Sequence, residues 1–169
     1  MLGITIRPES ASDVTAIEAV TVAAFRDAPH TAHTEQFIVA ALRKSGQLSV
    51  SLVAELGGEV VGHVALSPVA LSDGSPGWFG LGPISVLPEH QARGIGSRLM
   101  QEALQSLRNR GASGCVLVGD SGFYRRFGFR PEASLTYPGV PTEYFLALAF
   151  GAAMPRAAVT FQGAFAALS

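Results

Sequence analysis

The five residues Gly114 to Val118, "GCVLV", carry no charged or strongly polar side chain. A strand of that composition is expected to be buried on both faces. The stretch before it follows a helical period instead. Ile95, Leu99, Ala103, Leu104 and Leu107 share one face over Gly94 to Arg110, and Gly111 stands where a helix would end. A short helix, "GFYRRFG", is expected after the apolar strand. Elements that alternate in this way make a mixed α/β domain.

The rest of the chain extends the pattern. "ITIRPES" alternates apolar and polar residues as a strand ending at Pro8. Val14, Ile17, Val20, Ala24 and Phe25 mark a helix capped at Ser12 or Asp13 and broken at Pro29. A second helix is expected from Thr34 to Ser45, with Gly46 ending it. "SVSLVAEL" and "VVGHVALSPV" make a hairpin through Gly57 and Gly58. "WFGLGPISVLP" is a further strand, in which Gly80, Gly82 and Pro83 mark a bulge or the close approach of another group. Strands follow near "FRPE", over Tyr144 to Phe150, and as a last addition near Val159 to Phe161. The expected order is β-α-α-β-β-β-α-β-α-β-β. The 169 residues are expected to form one domain, with a core over about 4–150 and an apolar extension over 151–169.

Hydrophobic residues make up 48% of the chain and charged residues 15%, which is apolar for its size. Even so, the longest near-apolar run, Tyr144 to Pro155, falls short of the roughly 20 residues that cross a bilayer, and no membrane partner is expected. The N-terminus lacks a basic leader and an apolar signal core. The single Cys115 leaves no internal disulfide and no cysteine-based zinc cluster. A cytoplasmic protein is expected. The net charge of −1 speaks against a general nucleic-acid binder. Between Pro88 and Arg130, however, seven arginines stand against three acids. That local basic zone suits a small polyanionic ligand, although a solvated arginine-rich face would carry the same charge.

Within the zone, "HQARGIGSRLM" puts Gly94 and Gly96 at a helix entrance, where glycine is costly. The first N–H groups of a helix lack internal partners, and the dipole makes that end partly positive. Glycines there let the backbone approach a phosphate, so a pyrophosphate is the expected ligand. A P-loop would need Gly-Lys-Ser/Thr, and the only lysine is Lys44. A dinucleotide fingerprint would need a third glycine where Leu99 stands. A purely structural Gly-x-Gly turn stays open.

The segment "QARGIG", Gln91 to Gly96, directly after a strand ending "VLP", resembles the pyrophosphate loop of the GNAT superfamily of acetyl-CoA-dependent N-acetyltransferases. "YRRFGF", Tyr124 to Phe129, resembles the family's Tyr-x-x-x-Gly-Phe one short strand downstream. The resemblance covers about Ile4 to Phe150. "VLVGDSGFYRRFGF" and "GVPTEYFLAL" are most similar to the bacterial YhbS-like branch. The fold it implies is a mixed, mostly antiparallel sheet flanked by helices.

The implied activity is acetyl transfer from acetyl-CoA to a primary amine, on a small molecule or a protein, by direct attack through a tetrahedral intermediate. By the resemblance, backbone N–H groups of Arg93, Gly94, Ile95, Gly96, Ser97 and Arg98 bind the pyrophosphate, with Gln91 and the Arg93 side chain close by. The pantetheine arm runs along Ile84, Ser85 and Val86, and a backbone N–H near Ser85 to Leu87 meets the oxyanion. Arg98, Arg125 or Arg126 contacts the 3′-phosphate. Tyr124 is implied as the general acid, while Phe123, Phe127 and Phe129 are assigned to the core.

Asp120 and Ser121 depart from the Asn common in the family, and Asp120 is expected to cap the short helix. The strand beside the thioester carries no acid, so the base stays unassigned among Glu35, Asp27, His63 or a water chain. Asp27, His33, Glu35 and Trp78 are expected to line the acceptor cleft, Trp78 with core packing as its alternative. His30 and His33 with Asp27 supply too few ligands for zinc, and no metal is expected. The rival from another class is a non-catalytic acyl-CoA sensor. The tail from Phe150 to Ser169 either closes the core or forms an interface, a homodimer included.

Overall fold

The computed structural model describes residues 3–28, 31, 33–151 and 153–168. The expected helix break at Pro29 and the His30 side chain lie outside the described residues.

Strand β1 (Ile4–Pro8) pairs antiparallel with β2 (Val50–Leu56), which turns through Gly57 and Gly58 into β3 (Glu59–Pro68). A small second sheet has β4 (Ala70–Leu71) at one edge. The main sheet continues with β5 (Trp78–Val86), antiparallel to β3, and β6 (Gly114–Val118), parallel to β5. β7 (Arg130–Pro131) lies at the far edge of this sheet, and β8 (Leu135–Thr136) belongs to the small one. β9 (Phe145–Ala149) lies between β6 and β7, and β10 (Ala157–Thr160) between β4 and β8. The seven-stranded order is β1-β2-β3-β5-β6-β9-β7, and β5–β6 is its only parallel pair. The mixed α/β architecture follows the expected order. The two-residue strands β4 and β8 were not anticipated, being too short to show a period.

The helices are α1 (Val14–Phe25), α2 (Glu35–Lys44), α3 (Ile95–Asn109) and α4 (Ser121–Tyr124), the last continued by a 3₁₀ turn over Arg125–Phe127. Ile95, Leu99, Met100, Ala103, Leu104 and Leu107 of α3 are buried against one face of the sheet. Cutting one such leucine to alanine costs about 2–5 kcal/mol. On the other face, Ile17 and Val20 of α1 and Val39 of α2 pack on Val53 and Val60, while the small sheet covers Val116 and Ala147. β6 shows why its composition has to be apolar. Cys115 and Leu117 face α3, and Val116 faces the small sheet.

One expected cap is corrected. Asp13 precedes α1 in helical conformation and makes no side-chain cap. Its carboxylate instead accepts from Arg7 at 2.7 Å and from the Ser10 N–H at 2.7 Å. The Arg7 guanidinium holds the Asp13 carboxyl well below the usual carboxylate range.

Candidate active site

The parallel pair β5–β6 is the hinge of the site. It is hydrogen-bonded only from Trp78 to Gly80, opposite Gly114 to Val116. Beyond Gly80 the register with β3 jumps, so that Gly82 and Pro83 together oppose Ala65. Gly82 has φ +143, a value side chains rarely tolerate, which explains glycine at the bulge. The bulge turns β5 away from β6, and Ile84 to Val86 keep β3 as their only strand neighbour in the sheet. Two clefts flank the resulting opening.

The larger cleft, about 670 Å³, lies between β5, the entrance of α3 and α4. Gly94 precedes α3 at φ +85, a left-handed turn that aims the chain into the helix. The first intrahelical bond is Arg98 N–H to Gly94 O at 3.1 Å. The N–H groups of Ile95, Gly96 and Ser97 precede it and have no acceptor within the helix. A Cβ on Gly94 would meet nothing within 4 Å, and one on Gly96 only Phe123 and Val86 at 3.9 Å. Protein packing therefore does not demand glycine at 96; the space above it is open cleft.

Of the residues expected at the cofactor, Ile84, Ser85, Val86, Gln91, Gly94, Gly96, Ser97 and Arg126 line this cleft. Gln91 Nε2 donates to Val86 O at 2.9 Å, tying the loop to the end of β5. Arg126 lies 4.9 Å above the Phe123 ring, and Phe123, which packs on the core as expected, is also a wall of the cleft. Ile95 sends its side chain into the core and leaves its backbone N–H, the group expected there, at the entrance. Two side-chain expectations are corrected. Arg98 donates to Ile4 O at 2.8 Å on β1, which takes its side chain away from the cleft. The exposed Arg93 side chain does not line the cleft either. His90 and Ala92 line it unforeseen. Ala92 has φ +62, a strained value for alanine of the kind that collects at functional loops. His90 Nδ1 is buried with no partner among the described residues.

The smaller cleft, about 270 Å³, opens on the other side between α1, α2 and the small sheet. It shares Ile84 and Tyr124 with the larger one. Glu35 lines it, as expected. Asp27 and His33 are exposed and do not, because the end of α1 and the following loop carry them outward. Trp78 is 2% exposed in the core, its ring lying over Gly114, which corrects its placement in the cleft. Phe161 and Phe165 complete the wall. They come from the C-terminal extension, and no local pattern announced them.

Tyr124 stands at the junction, in edge contact with Phe123 and Phe129. Burial raises the pKa of its phenol above the ordinary value, so it stays protonated further into the alkaline range. Asp120 caps α4 by accepting from the Gly122 N–H at 2.8 Å. Cys115 is fully buried and burial pushes its thiol up, which removes it as a nucleophile.

His63 lines neither cleft. Its Nε2 lies 2.7 Å from Ser51 Oγ, which donates its own hydrogen to Glu9. The imidazole hydrogen therefore sits on Nε2, and Nδ1 is bare. Among the described residues no three His, Cys, Asp or Glu side chains are grouped to hold a metal, and no helix is long and apolar enough to cross a membrane.

Residues 14–129 match the acetyltransferase (GNAT) family. The chain belongs to the GNAT family. It is 34% identical over 129 residues to a GNAT relative from Escherichia coli strain K12 named uncharacterized N-acetyltransferase YhbS, covering 76% of this chain and 74% of YhbS. Among solved GNAT structures, a family acetyltransferase from Brucella melitensis in complex with acetyl-CoA is 47% identical, with a TM-score of 0.86 over 98% of this chain and 99% of that one. YhbS from Escherichia coli in complex with CoA gives the same TM-score at 29% identity, over 100% and 95%.

Proposed function

We propose that this chain transfers an acetyl group from acetyl-CoA to an amine. The observation that carries the reading is that the two clefts meet at Ile84 and Tyr124. A donor lying in the larger cleft and an acceptor in the smaller one would bring their reacting ends together beside one phenol. The glycine-lined entrance of α3 and the Arg126 side chain suit the diphosphate of acetyl-CoA. The free edge of Ile84 to Val86 suits an amide-bearing arm added as an extra strand. The solved relatives bound to acetyl-CoA and to CoA support the same ligand.

Direct attack is favoured over a covalent acyl-enzyme, because the chain's one cysteine is buried away from both clefts. The neutral amine nitrogen forms its bond to the acetyl carbon, the carbonyl electron pair returns, and the carbon–sulfur bond breaks. A backbone N–H of β5 stabilises the oxyanion. Tyr124 gives its proton to the departing sulfur and is reprotonated by the proton the nitrogen sheds, so the step balances. The raised phenol pKa keeps that proton in place at neutral pH.

The test is release of free thiol from acetyl-CoA across a broad panel of amines, with acetyl-CoA binding followed by calorimetry. Amine-dependent release supports the reading. Tight binding of acetyl-CoA without release for any amine would leave a sensor in place of an enzyme.

A further inference from the structure

The smaller cleft has a chemistry that selects its occupant. Among the described residues, Glu35 is the only charged one lining it. One carboxylate oxygen, Oε2, accepts from Thr31 Oγ1 at 2.5 Å; the other, Oε1, is buried with no partner among the described residues. A buried carboxylate oxygen left unpaired is costly, and a cationic donor would relieve it. The remaining wall is apolar and largely aromatic. Phe161 lies between Tyr137 and Phe165, with ring centroids 4.8 and 5.1 Å away. Aromatic faces of this kind hold both aryl rings and cations.

We propose that the acceptor is a small primary amine on a compact aromatic body, such as an arylethylamine, bound as its ammonium against Glu35 Oε1, which takes one proton to leave the neutral amine for attack and later gives that proton to solvent, with its ring among Phe161, Phe165 and Tyr137. The inference rests on the acetyltransferase reading above. Size agrees: a cavity of roughly 150 Å³ holds a benzene ring, so about 270 Å³ takes a ring and a short amine arm and little more. Charge excludes the alternatives. An amino acid would bring a carboxylate into a cleft lined, among the described residues, by no arginine, lysine or histidine, and a polyamine would bring several cations to a single acid. An amino group on a protein surface would have to lead a polar backbone into an apolar slot.

The experiment compares 2-phenylethylamine, 2-phenylethanol, phenylalanine and spermidine. Binding to the CoA-loaded protein is measured by calorimetry, and turnover with acetyl-CoA by thiol release. 2-Phenylethylamine should show a KM at least tenfold below those of phenylalanine and spermidine. Glu35→Gln should weaken its binding at least tenfold, and leave acetyl-CoA affinity and 2-phenylethanol binding within about twofold. Phe165→Ala should weaken 2-phenylethylamine but not butylamine, and decides the matter should the first variant not fold. Preference for phenylalanine or spermidine, or affinity for 2-phenylethylamine indifferent to both substitutions, would overturn the proposal. If the protein binds 2-phenylethylamine through Glu35 yet acetylates no amine, the enzymatic reading fails while the cleft assignment stands.

Discussion

Tyr124 owes its place to an absent side chain. A Cβ on Gly119 would lie 2.5 Å from Tyr124 Cε2, so the residue that follows β6 has to be glycine for the ring to lie across it. Removing only the hydroxyl, as in Tyr124→Phe, keeps this packing and the edge contacts with Phe123 and Phe129. The turnover number should fall by about 10² to 10⁴, the usual worth of a placed proton donor. Acetyl-CoA affinity and melting temperature should stay near those of the parent, and both are to be measured on the same preparation. A stable variant within about threefold of parent turnover would return Tyr124 to a packing role. Gly96 makes the complementary case. Its Cβ direction is open, so Gly96→Val should fold normally yet lose at least about tenfold in acetyl-CoA affinity, some 1.4 kcal/mol. Calorimetry on the folded variant checks this, and unchanged affinity would move the diphosphate elsewhere.

At the scale of an element, β3 holds His63 at the inner end of a polar chain that runs through Ser51 to Glu9. His63 is 0% exposed, and its Nδ1 and the Ser85 Oγ, on facing residues of β3 and β5, are both buried with no partner among the described residues. Burial lowers the imidazole pKa from 6.5 to about 4. The unfolded chain thus takes a proton below about pH 6.5, and the folded chain only below about pH 4. Stability should therefore be level above pH 6.5, fall as the pH drops through that window, and level off below it as far as this group is concerned. The full difference is about 3 kcal/mol. His63→Gln retains a donor toward Ser51 and cannot titrate. Denaturation midpoints between pH 4 and 6.5 should depend less steeply on pH in this variant than in the parent. Equal slopes would show that other groups govern the acid limb.

Across the whole molecule, the net charge of −1 hides an uneven distribution, although of the seven arginines between Pro88 and Arg130 only Arg126 lines the larger cleft among the described residues. Because Arg98 is held by β1, the arginine left lining that cleft is Arg126. Affinity for acetyl-CoA should fall as salt is raised toward a Debye length of about 10 Å and below. It should also exceed affinity for the dephospho form, and Arg126→Ala should narrow that gap. Equal binding of both forms by the parent would place the 3′-phosphate away from Arg126. The tail belongs to this scale too. β10 is the middle strand of the small sheet, and the residues after it reach the smaller cleft, so the tail joins sheet closure to a site wall.

What was legible in the sequence is what local backbone chemistry dictates. The periods of α3 and β6, the glycines at 94 and 96, the bulge at Gly82 and the cap at Asp120 each follow from constraints within a few residues. They suffice to mark the phosphate-suited entrance, whereas Tyr124 as a candidate acid comes only from the resemblance of the segment Tyr124 to Phe129 to the family's motif. Contacts between residues far apart in the chain left no such trace. Arg98 and Ile4 meet across 94 positions, and Trp78 lies over Gly114 only because β5 and β6 run parallel. Phe123, besides packing on the core, becomes a cleft wall because α4 lies beside the α3 entrance. Phe161 and Phe165 become cleft residues because β10 docks between β4 and β8. Side chains alone say which groups are apolar or charged; which of them face a cleft depends on how the strands part, and that is settled only when the sheet has formed.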